Sequence, residues 1–161
     1  MTLTVRPAEP RDAPRIVEMA RALTAHEIEI DGDRARRCAL SEAHLARYCF
    51  CDAPLLHALI AERDGLADGY LLYHLAFDCE TATVGLWMAD LYVEPALRGQ
   101  GAGRALMAAL AAAAQRHEAA WVAWQVMRDN AAAQAFYDRF GERDPDLSYW
   151  CSLDALDKRL G

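Results

Sequence analysis

The chain has 161 residues, of which 54% are hydrophobic and 25% are charged, and its formal net charge at pH 7 is −7. This composition predicts one globular domain with a proper core and excludes a disordered chain. The acidic balance argues against a nucleic-acid-binding protein, which needs a basic face. No apolar run reaches the roughly 18 residues of a membrane span, and the N-terminal segment lacks a signal-peptide core. We therefore expect a cytoplasmic protein without membrane contacts.

The first 49 residues predict one strand and two helices. Residues 2–6 alternate as a short strand, and a helix begins near Pro10, with apolar positions at helical spacing through Leu23. The charged residues 27–37 are predicted to connect this helix to a second one over residues 41–49. Ser41 is a plausible N-cap for that second helix.

The chain from residue 55 onward predicts the remaining strands of a sheet, together with further helices. Residues 55–62, 70–77 and 83–93 are predicted to form an antiparallel meander, with a turn near Asp64 and Gly65. A helix over 103–117, a buried strand over 121–126, a helix over 131–140 closed by Gly141, a strand over 147–153 and a helical tail over 154–160 follow. This order predicts a mixed α/β fold, with helices on both faces of a mostly antiparallel central sheet.

Five cysteines occupy positions 38, 49, 51, 79 and 151. Their number is odd, they form no C-x-x-C pair, and no His or Cys partner lies at metal-ligand spacing. We predict that all five are buried, reduced thiols and that the protein binds no metal.

Residues 93–103, with the sequence VEPALRGQGAG, join the third meander strand to the next helix. The glycines at 99, 101 and 103 allow a sharp turn and bring backbone N–H groups close to a ligand. The helix that follows adds unpaired amides and the positive end of its dipole. The segment therefore predicts a binding site for a diphosphate-like anion.

Several interpretations of this loop compete. A Walker A loop is excluded because Gly103 is followed by Arg104 and Ala105 instead of Lys and Ser or Thr. A Rossmann fingerprint fits poorly, because the spacing is G-x-G-x-G and most of a domain precedes it. An ordinary glycine-rich turn remains open. The pattern Arg98-x-x-Gly101-x-Gly103 resembles the acyl-CoA loop of the GCN5-related N-acetyltransferases (GNAT family).

A second motif strengthens this resemblance. Residues 129–141, DNAAAQAFYDRFG, are similar to the segment of Asn, Ala, Phe-Tyr and Gly that family members carry after the CoA helix and the next strand. The resemblance covers essentially the whole chain and implies one GNAT domain over residues 1–161, with a GNAT-like acyl-CoA acyltransferase fold. Residues 88–95 and 3–8 look most like the diamine and polyamine N-acetyltransferase branch.

The resemblance implies acetyl-CoA as cosubstrate and assigns residues to it. The backbone of one loop would bind the diphosphate: Arg98, Gly99, Gln100, Gly101, Ala102, Gly103 and Arg104. A splayed strand would bind the pantetheine arm and polarise the thioester carbonyl: Leu91, Tyr92 and Val93. Leu91 and Val93 are equally explained as core residues, and the Arg98 side chain as a solvated surface arginine.

The resemblance implies that the second motif contains the general acid. Tyr137 resembles the family tyrosine beside the CoA sulfur, and a phenol can protonate the leaving thiolate when it is well positioned. The alternative to this catalytic role is that Tyr137 is an ordinary helix tyrosine that packs on the sheet. Asn130 would cap its helix in either case and, by resemblance, also contact CoA.

The amine side of the site departs from the polyamine branch, which carries Glu-Asp where this chain has Ala89-Asp90. Asp90 is a candidate base and amine-binding residue, with a structural hydrogen-bonding role as the alternative. Glu27, with His26 and Glu29 nearby, is a candidate for substrate binding, although a charged run between helices is more often a solvated loop. His74, on a strand, is more often a core or edge residue.

These features predict an N-acetyltransferase that moves the acetyl group of acetyl-CoA to a primary amine of a small molecule: a diamine, a polyamine or an amino-acid-like compound. Direct attack in a ternary complex is expected, since no cysteine lies in either motif, although Cys79 or Cys151 could enter the site in three dimensions. A protein lysine or N-terminal acetyltransferase, or a non-catalytic acyl-CoA-binding module, remains an alternative. The resemblance also suggests a homodimer.

Overall fold

The computed structural model describes residues 2–143. The strands within this range are β1 (Leu3–Pro7), β2 (His57–Arg63), β3 (Leu66–Asp78), β4 (Thr83–Val93) and β5 (Trp121–Trp124). The helices are α1 (Ala13–Asp31), α2 (Glu42–Tyr48), α3 (Ala102–Arg116) and α4 (Ala131–Tyr137), with 3-10 turns at Pro10–Asp12 and Pro95–Leu97. The predicted strand over 147–153, the tail over 154–160 and Cys151 lie outside the described residues.

The five strands form one sheet in the order β1-β2-β3-β4-β5. The first four pair antiparallel, and β5 pairs parallel to β4. Asp64 and Gly65 turn the chain between β2 and β3 with positive φ angles of 51° and 81°, which suit a tight hairpin. The prediction of a mixed, mostly antiparallel sheet with a β2–β4 meander is confirmed.

Helices cover both faces of this sheet, as predicted. Ile60 and Leu72 belong to a core cluster shared with α1 and α2. Their neighbours Leu59 and Leu71 are also buried, and alternation along a strand turns them to the opposite face. Helix α3 contacts all five strands, and its buried residues pack on that second face.

The chain divides into two compact units, Met1–Asp129 and Asn130–Gly161. The first contains the sheet and α1 to α3. The second begins with α4, whose N-cap Asn130 accepts a hydrogen bond from the Ala133 amide at 3.0 Å. A single GNAT domain over residues 1–161 stays a prediction.

The predicted connecting loop over residues 27–37 is only partly correct: residues 27–31 are helical, whereas residues 32–37 do lie in the connection between α1 and α2. Helix α1 continues to Asp31, so His26, Glu27 and Glu29 lie in its last turns. No Gly or Pro interrupts the chain between Pro14 and Gly32. Gly32 then ends the helix with a left-handed φ of 72°, and its amide donates to Ile28.

The last described helix is shorter than predicted. Helix α4 ends at Tyr137, and the amides of Phe140 and Gly141 both donate to the Tyr137 carbonyl. Gly141 does not adopt a positive φ, so it is not the left-handed cap that the sequence suggested. Strand β5 is also shorter than predicted, and its four residues are half-buried.

The cysteine prediction is partly wrong. Cys38, Cys49, Cys51 and Cys79 are free thiols, but Cys38 and Cys49 are only half-buried, whereas Cys51 and Cys79 are exposed. Both lie in turns outside the sheet and helices, where neighbouring elements do not cover them. Burial raises the pKa of the half-buried Cys49 thiol to about 11, which makes it a poor nucleophile.

Candidate active site

The loop before α3 has the geometry of an anion cradle. Gly99 and Gly101 adopt positive φ angles of 76° and 93°, which side-chain-bearing residues rarely reach. Gly101 is the N-cap of α3 and offers no side chain, and the first helical bond runs from Ala105 to Gly101. The amides of the intervening residues therefore have no partner within the helix. The loop presents open N–H groups at the positive end of a 15-residue helix.

The space around the two loop glycines is open. A Cβ atom at Gly99 would meet no other atom within 4 Å, and one at Gly101 would meet only Leu3 Cδ2 at 4.0 Å. The loop is thus not closed by its own side chains. Gly103 differs from the expectation, because α3 begins at Ala102 and Gly103 is a helical residue in its first turn.

The side chains of the loop are turned toward the protein. The Arg98 Nε donates to the Val93 carbonyl at 3.0 Å, and the guanidinium lies 5.9 Å from the centre of the Tyr92 ring. Gln100 donates to the Ala96 carbonyl at 3.2 Å. These contacts support the expectation that the backbone of the loop, and not its side chains, faces the ligand.

Strand β4 parts from β5 halfway along its length. The β4–β5 ladder ends at the pair Met88 and Trp124, while β4 continues to Val93. None of residues 125–129, which follow β5, forms a strand pair with the rest of β4. A wedge therefore opens between the strands, on the side of β4 that leads into the loop.

Two backbone amides of β4 point into this wedge. The Glu94 amide donates to the Asp68 carbonyl of β3 at 2.9 Å. Antiparallel alternation then turns the N–H groups of Tyr92 and Asp90 toward β3, and those of Leu91 and Val93 away from it. The Val93 carbonyl, which accepts from Arg98, confirms this direction. Val93 is also buried and Leu91 half-buried, so their backbone and packing roles are compatible.

Tyr92 is placed differently from its two neighbours. Its amide faces β3 by the same alternation, its side chain is buried, and its hydroxyl donates to Glu94 at 3.2 Å. The geometry therefore gives Tyr92 a role in the sheet and leaves the wedge to the backbone of Leu91 and Val93.

A β-bulge in β4 orients the predicted acidic residue. The register passes from Tyr73–Met88 to Leu72–Asp90, so Ala89 is an extra residue without a partner on β3. The Asp90 side chain accepts a hydrogen bond from the hydroxyl of Tyr70 at 3.0 Å. Tyr70 is fully buried in the core cluster that α1 and α2 share with the sheet. Asp90 thus lies on the α1 side of the sheet.

Glu27 of α1 lies close enough to Asp90 for their charges to interact. Burial raises the pKa of Glu27, Arg36 lowers it, and the negative charge of Asp90 raises it. Burial likewise raises the pKa of Asp90, while the Tyr70 hydrogen bond lowers it. Arg36 lies 3.5 Å from Glu27, whereas no ion pair to Asp90 occurs among residues 2–143. The structure therefore brings both predicted acidic residues together and leaves them short of positive charge.

The other acceptor-side candidates lie outside this pair. Glu29 is exposed and lies 3.8 Å from His26 on the surface of α1. His74 shares a hydrogen bond with the neighbouring Leu75 carbonyl through Nδ1 at 3.0 Å. Within the described part of the chain, no group of three or more His, Cys, Asp or Glu residues is arranged to hold a metal ion.

Asn130 and Tyr137 belong to the second unit. Asn130 caps α4 through its side chain, as predicted. Tyr137 is the last residue of that helix, is half-buried, and its ring lies edge-on to Phe136 with the ring centres 5.2 Å apart.

The sequence did not identify three residues that shape the site. Tyr70 holds Asp90, Arg36 neutralises Glu27, and Arg63 contacts Gln100 in the loop. Tyr70 and Arg63 are distant from their partners along the chain, so no local pattern could have paired them. Arg36 lies nine residues after Glu27. Because Glu27 was expected to lie in a loop, the sequence did not predict this contact.

Comparisons with known proteins identify the family of this chain. The sequence model of the Acetyltransferase (GNAT) family matches residues 20–141. A human spermidine/spermine N(1)-acetyltransferase-like protein 1 is 30% identical over 147 residues, which cover 87% of this chain but only 20% of that protein. The pig thialysine N-epsilon-acetyltransferase is 27% identical over 151 residues, covering 89% of this chain and 85% of the relative.

A solved structure shares the fold. An aminoglycoside acetyltransferase from an uncultured soil metagenomic sample superposes with a TM-score of 0.74 at 21% identity, covering 95% of this chain and 99% of its own. None of the helices described here has both the length and the apolar character that a membrane crossing requires. The chain belongs to the GNAT family, and its class is that of the acetyl-CoA-dependent N-acetyltransferases.

Proposed function

We propose that this protein acetylates a primary amine of a small cationic molecule, such as a diamine, a polyamine or an amino-acid-like compound, by direct attack in a ternary complex. The observation that carries the proposal is the open anion cradle of Gly99, Gly101 and α3 at the end of the β4–β5 wedge. A diphosphate in the cradle would direct the pantetheine arm along the free edge of β4.

The donor side follows from the backbone. The amides of residues 98–104 would bind the diphosphate, as nests and helix N-termini bind anions. The amides of Leu91 and Val93 point into the wedge and would hold the pantetheine arm and polarise the thioester carbonyl. Such preorganised donors stabilise the oxyanion that forms during acyl transfer. Acetyl-CoA supplies the acyl group.

The acceptor side follows from Asp90 and Glu27. Two carboxyl groups with raised pKa values and little compensating positive charge favour a cationic ligand, because an ammonium group would restore the charge balance. One carboxylate can then take the proton that the amine must lose before attack, directly or through water. The similarity at low identity to a spermidine/spermine N(1)-acetyltransferase-like protein and to a thialysine N-epsilon-acetyltransferase supports an amine of this kind.

Tyr137 would complete the chemistry as general acid to the leaving thiolate. Its position in the Phe-Tyr motif of α4 supports this role. Asn130 would then fix the start of the same helix, and a contact of Asn130 with CoA belongs to the same proposal. A homodimer is a further expectation from the family resemblance.

The proposal is tested by calorimetry with CoA on a matched pair of variants. Gly101→Ala and Gly32→Ala both place a side chain at a positive φ, at 93° and 72°, in uncrowded surroundings. Both variants should therefore lose similar stability, of order 1 to 2 kcal/mol. Only Gly101→Ala should weaken CoA binding, by tenfold or more, because its methyl group enters the cradle.

Turnover is then measured by thiol release from acetyl-CoA with a panel of diamines, polyamines, lysine, thialysine and aminoglycosides. Release with one class of small amine supports the proposal. Tight CoA binding without release for any amine would indicate an acyl-CoA-binding module, and release only with peptides would indicate a protein acetyltransferase. Equal CoA affinity of the two glycine variants would mean that the cradle is not the donor site.

A further inference from the structure

Asp68 is the one charged residue that is buried within residues 2–143, with 4% of its surface exposed. It lies in β3, where the β2–β3 register passes from Ala61–Gly69 to Glu62–Ala67 and leaves Asp68 as an extra residue. Such a bulge redirects a side chain out of the normal alternation. A buried carboxylate is costly unless it is paired, so this placement requires a specific partner.

That partner is Arg63, at the end of β2. The Arg63 Nε donates to the Asp68 carboxylate at 2.9 Å, and both side chains are largely buried. The Arg63 Nη2 is buried and has no hydrogen-bond partner among the described residues. The Arg63 guanidinium is therefore held by Asp68 through Nε and by one further contact, which Nη1 makes.

The remaining contact reaches the diphosphate loop. The Arg63 Nη1 donates to Oε1 of Gln100 at 3.0 Å, and the Gln100 Nε2 donates to the Ala96 carbonyl at 3.2 Å. Gln100 lies between Gly99 and Gly101, the two residues of the loop with positive φ. Because glycine backbones are the most permissive in the chain, this is where the loop most needs an external anchor.

We propose that Asp68, Arg63 and Gln100 form a brace that holds the diphosphate loop in its binding conformation from the β2–β3 hairpin. Arg63 and Asp68 are positioning residues that act through Gln100. The inference rests on the proposed function, since it assigns the loop to CoA. A loop that is already ordered binds with a smaller entropic cost than one that must be fixed on binding.

The geometry of the hairpin supports this assignment. A Cβ atom at Gly69, the residue after Asp68, would collide with the backbone oxygen of Tyr92 in β4. The bulge therefore packs tightly against the end of β4, where the Asp68 carbonyl also accepts from the Glu94 amide. The brace thus connects the loop to a rigid part of the sheet.

The test compares CoA affinity and turnover in Arg63→Met and Gln100→Ala. Arg63→Met keeps most of the side-chain stem and removes the donor. Its Kd for CoA should rise about tenfold, as loss of a charged hydrogen bond suggests, while kcat at saturating acetyl-CoA and amine stays within about twofold. Arg11→Met, which removes an exposed arginine that forms an ion pair with Glu9, is the control and should leave the Kd unchanged.

A double mutant separates positioning from general destabilisation. If Arg63 acts through Gln100, Arg63→Met should weaken CoA binding no further in a Gln100→Ala background. Independent, multiplicative effects of the two changes, or a parental Kd for Arg63→Met, would overturn the brace. Should Arg63→Met fail to fold, Gln100→Ala leaves the buried ion pair intact, and a parental Kd for that variant overturns the brace by itself. No binding of CoA by the parent protein would instead overturn the proposed function, and the brace with it.

Discussion

The role that we propose for Asp90 comes with a cost in stability. Its carboxyl group is partly buried, accepts one hydrogen bond from Tyr70, and lies close enough to Glu27 for their charges to interact. Burial raises its pKa above the ordinary value. A base with a raised pKa takes a proton from an ammonium group more readily than an ordinary carboxylate does. The same burial makes the ionised form unfavourable in the folded protein.

Asp90→Asn should therefore stabilise the protein while inactivating it. A raised folded-state pKa means that the native protein binds more protons than the unfolded chain between the two pKa values. The folded protein therefore carries no penalty from Asp90 at low pH, where the carboxyl group is protonated. It loses stability as the pH rises through the folded-state pKa of Asp90, because the buried group must then ionise. Urea unfolding should show Asp90→Asn to be more stable than the parent at pH 7, by about 1 kcal/mol, with a smaller difference near pH 4.

The activity of the same variant provides the second half of this test. Loss of a general base typically lowers kcat by about 10²- to 10⁴-fold. CoA affinity should not change, because Asp90 points to the α1 side and not into the wedge. A variant that is less stable at pH 7 and fully active would show that Asp90 has only the structural role of accepting from Tyr70.

Tyr137 is expected to act at the leaving group alone. Tyr137→Phe removes one hydroxyl and preserves the ring that packs beside Phe136. We expect kcat to fall by about 10²-fold, with little change in the Kd for CoA. Stopped-flow or steady-state thiol release provides kcat, and calorimetry provides the Kd. Unchanged turnover would remove Tyr137 from the mechanism.

At the scale of elements, the sequence predicted most of the sheet and the loop, because those signals are local. The β4 range of 83–93 and the turn at Asp64 and Gly65 were predicted correctly. The glycines at 99 and 101 adopt the positive φ angles that a diphosphate cradle needs. These features depend on strand patterning and glycine conformation, which a short window of sequence contains.

The end of α1 was less predictable. Its last turns carry few apolar residues, so the helical period is weak, and a dense group of charges is equally typical of a solvated loop. Only Gly32, as the left-handed cap, indicates where the helix ends. Under the proposed function this extension matters, because it places Glu27 on a helix and close enough to Asp90 for their charges to interact.

The bulges could not be predicted at all. Ala89 and Asp68 are extra residues only with respect to their partner strands, and register depends on which residues oppose each other across the sheet. Alternation alone left the direction of Asp90 open. The bulge at Ala89 decides that direction, and the one at Asp68 creates the buried ion pair with Arg63.

At the scale of the whole molecule, the net charge of −7 favours approach of cations. The acceptor region has the same bias, because the carboxyl groups of Glu27, Asp31 and Asp90 outnumber the two basic side chains near them, those of Arg36 and His26. The proposed diphosphate cradle, by contrast, would attract an anion through backbone dipoles and not through the net charge. The two substrates should therefore respond differently to salt.

We predict that salt weakens the use of a dicationic amine more than that of a monocationic one. Raising the ionic strength from about 0.1 M to about 1 M shortens the Debye length from about 10 Å to about 3 Å. The kcat/KM for a diamine should then fall several-fold more than that for a monoamine of matched chain length, with acetyl-CoA saturating, because steering scales with the charge of the ligand. Any effect of salt on the donor site acts equally on both amines and cancels in their ratio. Parallel losses for the two amines would mean that the carboxyl groups at positions 27 and 90 do not select a second positive charge.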